Sequence, residues 1–244
     1  MRALSLIVLI TFLMSCNSEN NESSNKLSNF IKANYSHNQS FINCQLQLDK
    51  NLNSVEQFIP LFVDDLKKVL DSEDEIFFLF PMQNKNMSIS EFEIVLNHKD
   101  EIMINEMFRI LEELSFADTA TCKNQDLLYG RLKLKRSSSI SNLSVIELME
   151  CEYLDGFNYA TMKLVFEEFI DTLAKIDHDL SIIYSENTSD TSSFRWFNIF
   201  DSVESRKIFI ESWQDSSVSN RMQTLFTEQS SCGDSALYKS YKVI

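Results

Sequence analysis

A chain of 244 residues with 36 acidic and 22 basic side chains carries a formal net charge of −14 and is repelled by phosphate backbones, so nucleic acid is not an expected partner. A hydrophobic content of 44% in this length is enough to bury one large domain or two small ones. Three Gly and two Pro fall far below ordinary usage, and the plentiful Asn, Ser, Lys, Ile and Phe fit the bias of an AT-rich coding sequence, which also explains sequons such as Asn34-Tyr35-Ser36.

The N-terminus opens with Met1-Arg2, a positive start, followed by a mostly apolar run from Ala3 to Met14. That run is shorter than the roughly 20 residues a membrane span needs, and its charged front fits an export signal instead. Leu13-Met14-Ser15 stand directly before Cys16, and the polar stretch Asn17-Ser18-Glu19-Asn20-Asn21-Glu22 follows. This arrangement resembles the signal peptide and lipobox of bacterial lipoproteins. The resemblance implies a signal peptide over residues 1–15 and a lipid, such as palmitate, on Cys16. It also implies a lipid-anchored, periplasm-facing protein. The residue after the cysteine, Asn17, is not aspartate, so in bacteria with two membranes the resemblance implies the outer membrane. Residues 16–39 read as a polar tether with too little apolar content to fold alone.

The remaining chain reads as two copies of one unit, 40–136 and 143–244, joined by Ser137-Ser138-Ser139-Ile140-Ser141-Asn142. Alternating stretches over 41–48 and 145–154 predict first strands around Cys44 and Cys151. A helix follows each at one offset. Phe58, Ile59, Phe62, Val63, Leu66 and Val69 match Val165, Phe166, Phe169, Ile170, Leu173 and Ile176 without a gap. Second strands are expected at 76–80 and 180–184, and third strands at 91–96 and 194–200. Second helices are expected at 101–116 and 203–226, the latter broken near Asp215. Each copy closes on a cysteine, Cys122 or Cys232, followed by a strand with Leu128-Tyr129 or Leu237-Tyr238.

The order strand, helix, strand, strand, helix, strand is the split βαβ, ferredoxin-like unit. One sheet face of such a unit needs covering, and a second copy can supply the cover. The expected fold is therefore α+β: two tandem ferredoxin-like βαββαβ units packed as an intramolecular barrel. This pattern resembles the dimeric α/β barrel. Two independent α+β domains side by side are the alternative.

Cys16 aside, four cysteines remain, which allow three disulfide connectivities. In a split βαβ unit the fourth strand runs antiparallel beside the first. The repeat therefore favours Cys44–Cys122 and Cys151–Cys232. No Cys-x-x-Cys is present and His is scarce, so no metal is expected. Gly130, Gly156 and Gly233 are isolated, so no phosphate loop and no nucleotide cofactor are expected.

Residues able to carry chemistry are few. His37 lies in the tether, His178 in the polar turn 175–179, and His98 at the end of a third strand, where a cavity mouth can form. The acidic pairs Asp64-Asp65, Glu112-Glu113 and Glu167-Glu168 read as solvated helix faces. Asp71 to Glu75 lack the spacing of a calcium loop. Strand alternation puts Phe194, Trp196 and Asn198 on one face and Arg195, Phe197 and Ile199 on the other. The first copy has Glu93-Ile94 where the second has Arg195-Trp196, so the second unit holds the richer pocket candidates: Trp196, Tyr184 and Arg195, with His98 from the first. Trp196 is the leading candidate, with core packing as its competing role. The chain thus reads as a membrane-anchored protein that binds a small ligand or protein partner. The alternative is a cofactor-free monooxygenase or isomerase of the dimeric α/β-barrel kind. No catalytic motif carries over.

Overall fold

A computed structural model of the chain describes residues 31–34, 37–69, 74–82, 90–99, 102–136, 143–173, 180–187, 190–214 and 216–243. The signal segment, Cys16, most of the tether, the 137–142 link and His178 lie outside the described residues. Among the described residues there are ten strands: β1 (Ile31–Asn34), β2 (His37–Leu46), β3 (Glu75–Pro81), β4 (Glu91–His98), β5 (Ala120–Arg136), β6 (Leu143–Tyr153), β7 (Leu180–Asn187), β8 (Ser193–Phe200), β9 (Ser230–Cys232) and β10 (Ala236–Lys242). The described α-helices are α1 (Leu52–Leu66), α2 (Ile102–Glu113), α3 (Tyr159–Leu173), α4 (Val203–Gln214) and α5 (Ser219–Gln229).

The strands make one antiparallel sheet that closes on itself. Its order is β5-β2-β4-β3-β10-β6-β8-β7, and β7 pairs back onto β5. The first four strands belong to the first unit and the last four to the second, each in the ferredoxin-like order 4-1-3-2. Each unit lends its second strand to the other unit's fourth, at β3–β10 and β7–β5. The result is an eight-stranded barrel with helices outside, the intramolecular form of the dimeric α/β barrel.

Alternation along the strands divides the core into three. Inside the barrel, Phe41, Phe77, Leu79, Val95, Ile146, Leu148, Ile183, Phe197, Ile199 and Tyr238 pack together. The intervening residues face outward and meet the helices. Ile42, Ile76, Phe78, Phe92 and Ile94 pack under α1 and α2 in the first unit. Ile182, Tyr184, Phe194, Trp196 and Phe200 pack under α3, α4 and α5 in the second. Each buried Phe or Ile contributes about 1.5–3 kcal/mol by leaving water.

Local sequence explains the helices. Asn51 accepts a hydrogen bond from the Ser54 N–H and starts α1, whose Val55, Phe58, Phe62 and Leu66 face the sheet. In α2, Met103, Met107, Ile110 and Leu111 form the same kind of stripe. The break between α4 and α5 falls at Ser216, whose hydroxyl accepts the N–H groups of Val218 and Ser219. Of the six aligned helix positions in the first copy, Val69 lies beyond α1 and is exposed.

Both disulfides have the pairing that the repeat favours, Cys44–Cys122 and Cys151–Cys232. Each joins directly opposed residues of neighbouring antiparallel strands. Three elements differ from the sequence reading. Ile31–Asn34, assigned to the tether, pair with the end of β5, and β2 begins at His37 rather than 41. Cys232 sits in its own short strand, β9, which is separated from β10 by Gly233-Asp234-Ser235. The final strand also ties the units together outside the barrel: Tyr241 and Lys239 both donate to Glu56 of α1, at 2.7 and 3.0 Å.

Candidate functional site at one mouth of the barrel

The two disulfides mark the same end of the barrel, because β2 and β6 run in the same direction. At that mouth the inward faces of β2, β4, β6, β8 and β10 present Asn43, Glu93, Glu150, Arg195 and Tyr238. Three clefts open there among the described residues. One of them, of about 560 Å³, lies beside the Cys151–Cys232 disulfide, is lined by Glu150, Ser193 and Arg195 among others, and does not include Glu93. The other two meet at Glu93. One, of about 440 Å³, is lined by Asn43, Pro81, Glu91, Glu93, Lys123 and Tyr238 among others. The second, of about 340 Å³, is lined by Phe41, Glu93, Glu150, Arg195, Asp234 and Tyr238 among others. Asn43, Glu93 and Tyr238 belong to both and stand between them.

Glu93 is the centre of this arrangement. The Tyr238 hydroxyl, brought from the other unit by β10, donates to Glu93 Oε1 at 3.3 Å. Burial pushes the Glu93 carboxyl above the usual carboxylate range; the Arg195 charge and the Tyr238 hydrogen bond oppose that push. Burial, followed by the charge of Glu93, raises Tyr238 as well, so its phenol stays a proton donor. Arg195 occupies the position in the second unit that Glu93 occupies in the first. Its guanidinium lies 4.4 Å from the Phe41 ring centroid and donates to Glu150 Oε1 at 2.9 Å. A carboxyl and a guanidinium thus meet at one opening, each from a different copy of the repeat.

The other sequence candidates lie elsewhere. Trp196 faces outward, 8% exposed, against Phe166, Phe169 and Phe226 of the helix layer, and its indole N–H donates to Asn198 Oδ1 at 2.8 Å. It lines none of the three clefts, and its surroundings are those of a core residue. Tyr184 is fully buried in the same layer and donates to Glu186 Oε1 at 3.3 Å. His98 ends β4 on the helix-facing side of the first unit, buried, with its Nε2 2.9 Å from Ser40 Oγ. The clefts therefore take up Arg195 but not Tyr184, Trp196 or His98. Glu93 and Tyr238 were not sequence candidates. The one signal for Glu93 was its exchange for Arg195 between copies, and for Tyr238 its place in the shared Leu-Tyr ending. Among the described residues no three His, Cys, Asp or Glu side chains are grouped to hold a metal ion. No described helix is long and apolar enough to cross a membrane.

No family model matches this sequence, and no curated protein matches it either. Solved structures do match its fold. A putative monooxygenase from Fusobacterium nucleatum superposes with a TM-score of 0.61 at 8% identity, covering 86% of this chain and 94% of its own. A putative monooxygenase from Lactobacillus acidophilus gives 0.56 at 8% identity, covering 84% and 94%. A putative chlorite dismutase gives 0.52 at 6% identity, covering 86% and 96%. At such identities the likeness shows the fold, which is that of the dimeric α/β-barrel proteins.

Proposed function

We propose that this chain binds a small organic molecule at the disulfide-marked mouth of its barrel and transfers a proton there, in the manner of a cofactor-free monooxygenase or isomerase. The observation that carries this reading is Glu93: a carboxyl raised by burial, hydrogen-bonded by a phenol, opposite a guanidinium, and open to two clefts. A base of raised affinity for protons is suited to taking one from a weakly acidic C–H or O–H. Arg195 then faces the negative charge left on the substrate. Return of the proton to another atom completes an isomerisation. With dioxygen as the oxidant, a substrate CH₂ becomes C=O, one oxygen atom enters the product and the other leaves as water. That two fold neighbours are described as putative monooxygenases supports the second outcome.

The same reading places the protein at the cell envelope, held by a lipid on Cys16, on the strength of Leu13-Met14-Ser15-Cys16. The experiment is a panel of phenols, quinols and enolisable ketones, followed by oxygen uptake and by exchange of substrate hydrogen with deuterated water. Wild-type protein turning over or exchanging one member, with Glu93→Gln losing at least 100-fold while still binding it, supports the proposal. Binding without exchange or oxygen uptake leaves a carrier and refutes the catalytic part.

A further inference from the structure

The end of the barrel opposite the clefts carries polar side chains that the reaction above does not use. Lys242 donates to Glu75 Oε1 at 2.8 Å, Asn97 donates to Glu75 Oε2 at 3.4 Å, and Gln39 donates to Asn97 Oδ1 at 2.8 Å. The chain of contacts runs over β2, β4, β3 and β10 and so joins both units. On the same inward faces lie Ser240 of β10 and Ser144 of β6, direct partners across the strand pair. Ser240 is 0% exposed, Ser144 3% and Gln39 1%. The hydroxyls of both serines and Oε1 of Gln39 are buried with no hydrogen-bond partner among the described residues. Buried polar groups are almost always partnered, and three orphans at one end of one barrel call for a common explanation.

We propose that this end of the barrel is a built site for a hydroxylic oxygen, that of water or of a small alcohol. The donor and acceptor inventory sets the chemistry. Two serine hydroxyls can each donate to an oxygen they share, and Gln39 Oε1 only accepts, so the ligand atoms must both accept and donate. A hydroxyl oxygen does both. Among the described residues, the charges that face the interior here, Glu75 and Lys242, answer one another, which favours a neutral ligand over an ion. The bound oxygen completes the polar ring between β10 and β6 and stabilises the seating of the C-terminal strand.

The test is a sign test. A buried hydroxyl with a partner stabilises the fold, whereas one without a partner costs stability and its deletion is neutral or favourable. Ser144→Ala and Ser240→Ala are each expected to lower the Tm by roughly 2–6 °C. An unchanged or higher Tm overturns the proposal. A second measurement uses the unmodified protein. Water–amide cross-relaxation at the Ser144 and Ser240 amides, undisturbed by added ethylene glycol, identifies water as the source. Saturable shifts at Ser144, Ser240 and the Gln39 side-chain amide on glycol titration, lost in the double variant, identify an alcohol. Neither signal means that no hydroxylic ligand is held, and the proposal fails.

Discussion

Removing one disulfide at a time measures how much of the fold rests on chain closure. Cys44–Cys122 spans a sequence separation of 78 and Cys151–Cys232 one of 81. Closing loops of that length removes unfolded-state entropy worth about 4.5 kcal/mol each at 25 °C. The loops do not overlap in sequence, so the two contributions should add to about 9 kcal/mol. A domain has only about 5–15 kcal/mol in total. Cys151→Ala/Cys232→Ala should therefore lose about 4 kcal/mol in urea unfolding, with the Tm down by roughly 8–16 °C. The four-cysteine variant should be largely unfolded at 37 °C. Because β2–β5 and β6–β9 are already paired by backbone hydrogen bonds, the native state loses few contacts, and the change should appear in the unfolded state. A loss below 1 kcal/mol for either pair, or a four-cysteine variant as stable as the wild type, would refute the reasoning.

Four further outcomes are expected. Trp196→Phe should cost about 1–3 kcal/mol, because it shrinks a buried ring and strands Asn198 Oδ1, yet leave cleft binding unchanged; a weakened cleft ligand with unchanged stability would return Trp196 to the site. Tyr238→Phe removes a hydrogen bond that favours the Glu93 carboxylate, so the acid limb of the pH–rate profile should move to higher pH; a shift to lower pH contradicts the assignment. Glu93→Gln should raise stability at neutral pH and much less near pH 4. A carboxyl raised on folding is most favourable below its unfolded value, and its contribution is lost as pH rises through the folded value. Equal changes in Tm at both pH values would count against a raised Glu93. Cys16→Ala should move the protein from the membrane fraction to the soluble one and abolish palmitate labelling, and a variant still bound and labelled would contradict the lipid anchor.

The architecture was readable because its two copies share a period. Phe62 and Phe169, Leu66 and Leu173, and Cys44 and Cys151 occupy matching places in the two units. Closure of the barrel followed from the exposed sheet face each unit would otherwise have. The details that escaped depend on tertiary pairing. Ile31–Asn34 are too short a run to declare a strand by themselves and become one by pairing with the far end of the long β5. The site was half readable. Arg195 was marked by its exchange with Glu93, but alternation alone does not say which strand face points into the barrel. That choice is made by the helices, which cover the Trp196 face and leave the Arg195 face inward. An indole looked the better ligand-binding group, whereas burial of a carboxyl such as Glu93, which gives it chemical interest, is a property of the closed barrel.

The exchange of glutamate for arginine at equivalent places has a consequence for symmetry. A barrel assembled from two identical chains must repeat every mouth residue by rotation: two glutamates would face each other, or two arginines, and either pair would repel. Fusing the halves into one polypeptide lifts that restriction, because each position is then encoded separately. Glu93 and Arg195 can differ, and the opening acquires a direction, with a carboxyl on one side and a guanidinium on the other. A molecule entering such a mouth has one preferred orientation instead of two equivalent ones. A homodimer of either half, however well folded, could not offer that distinction.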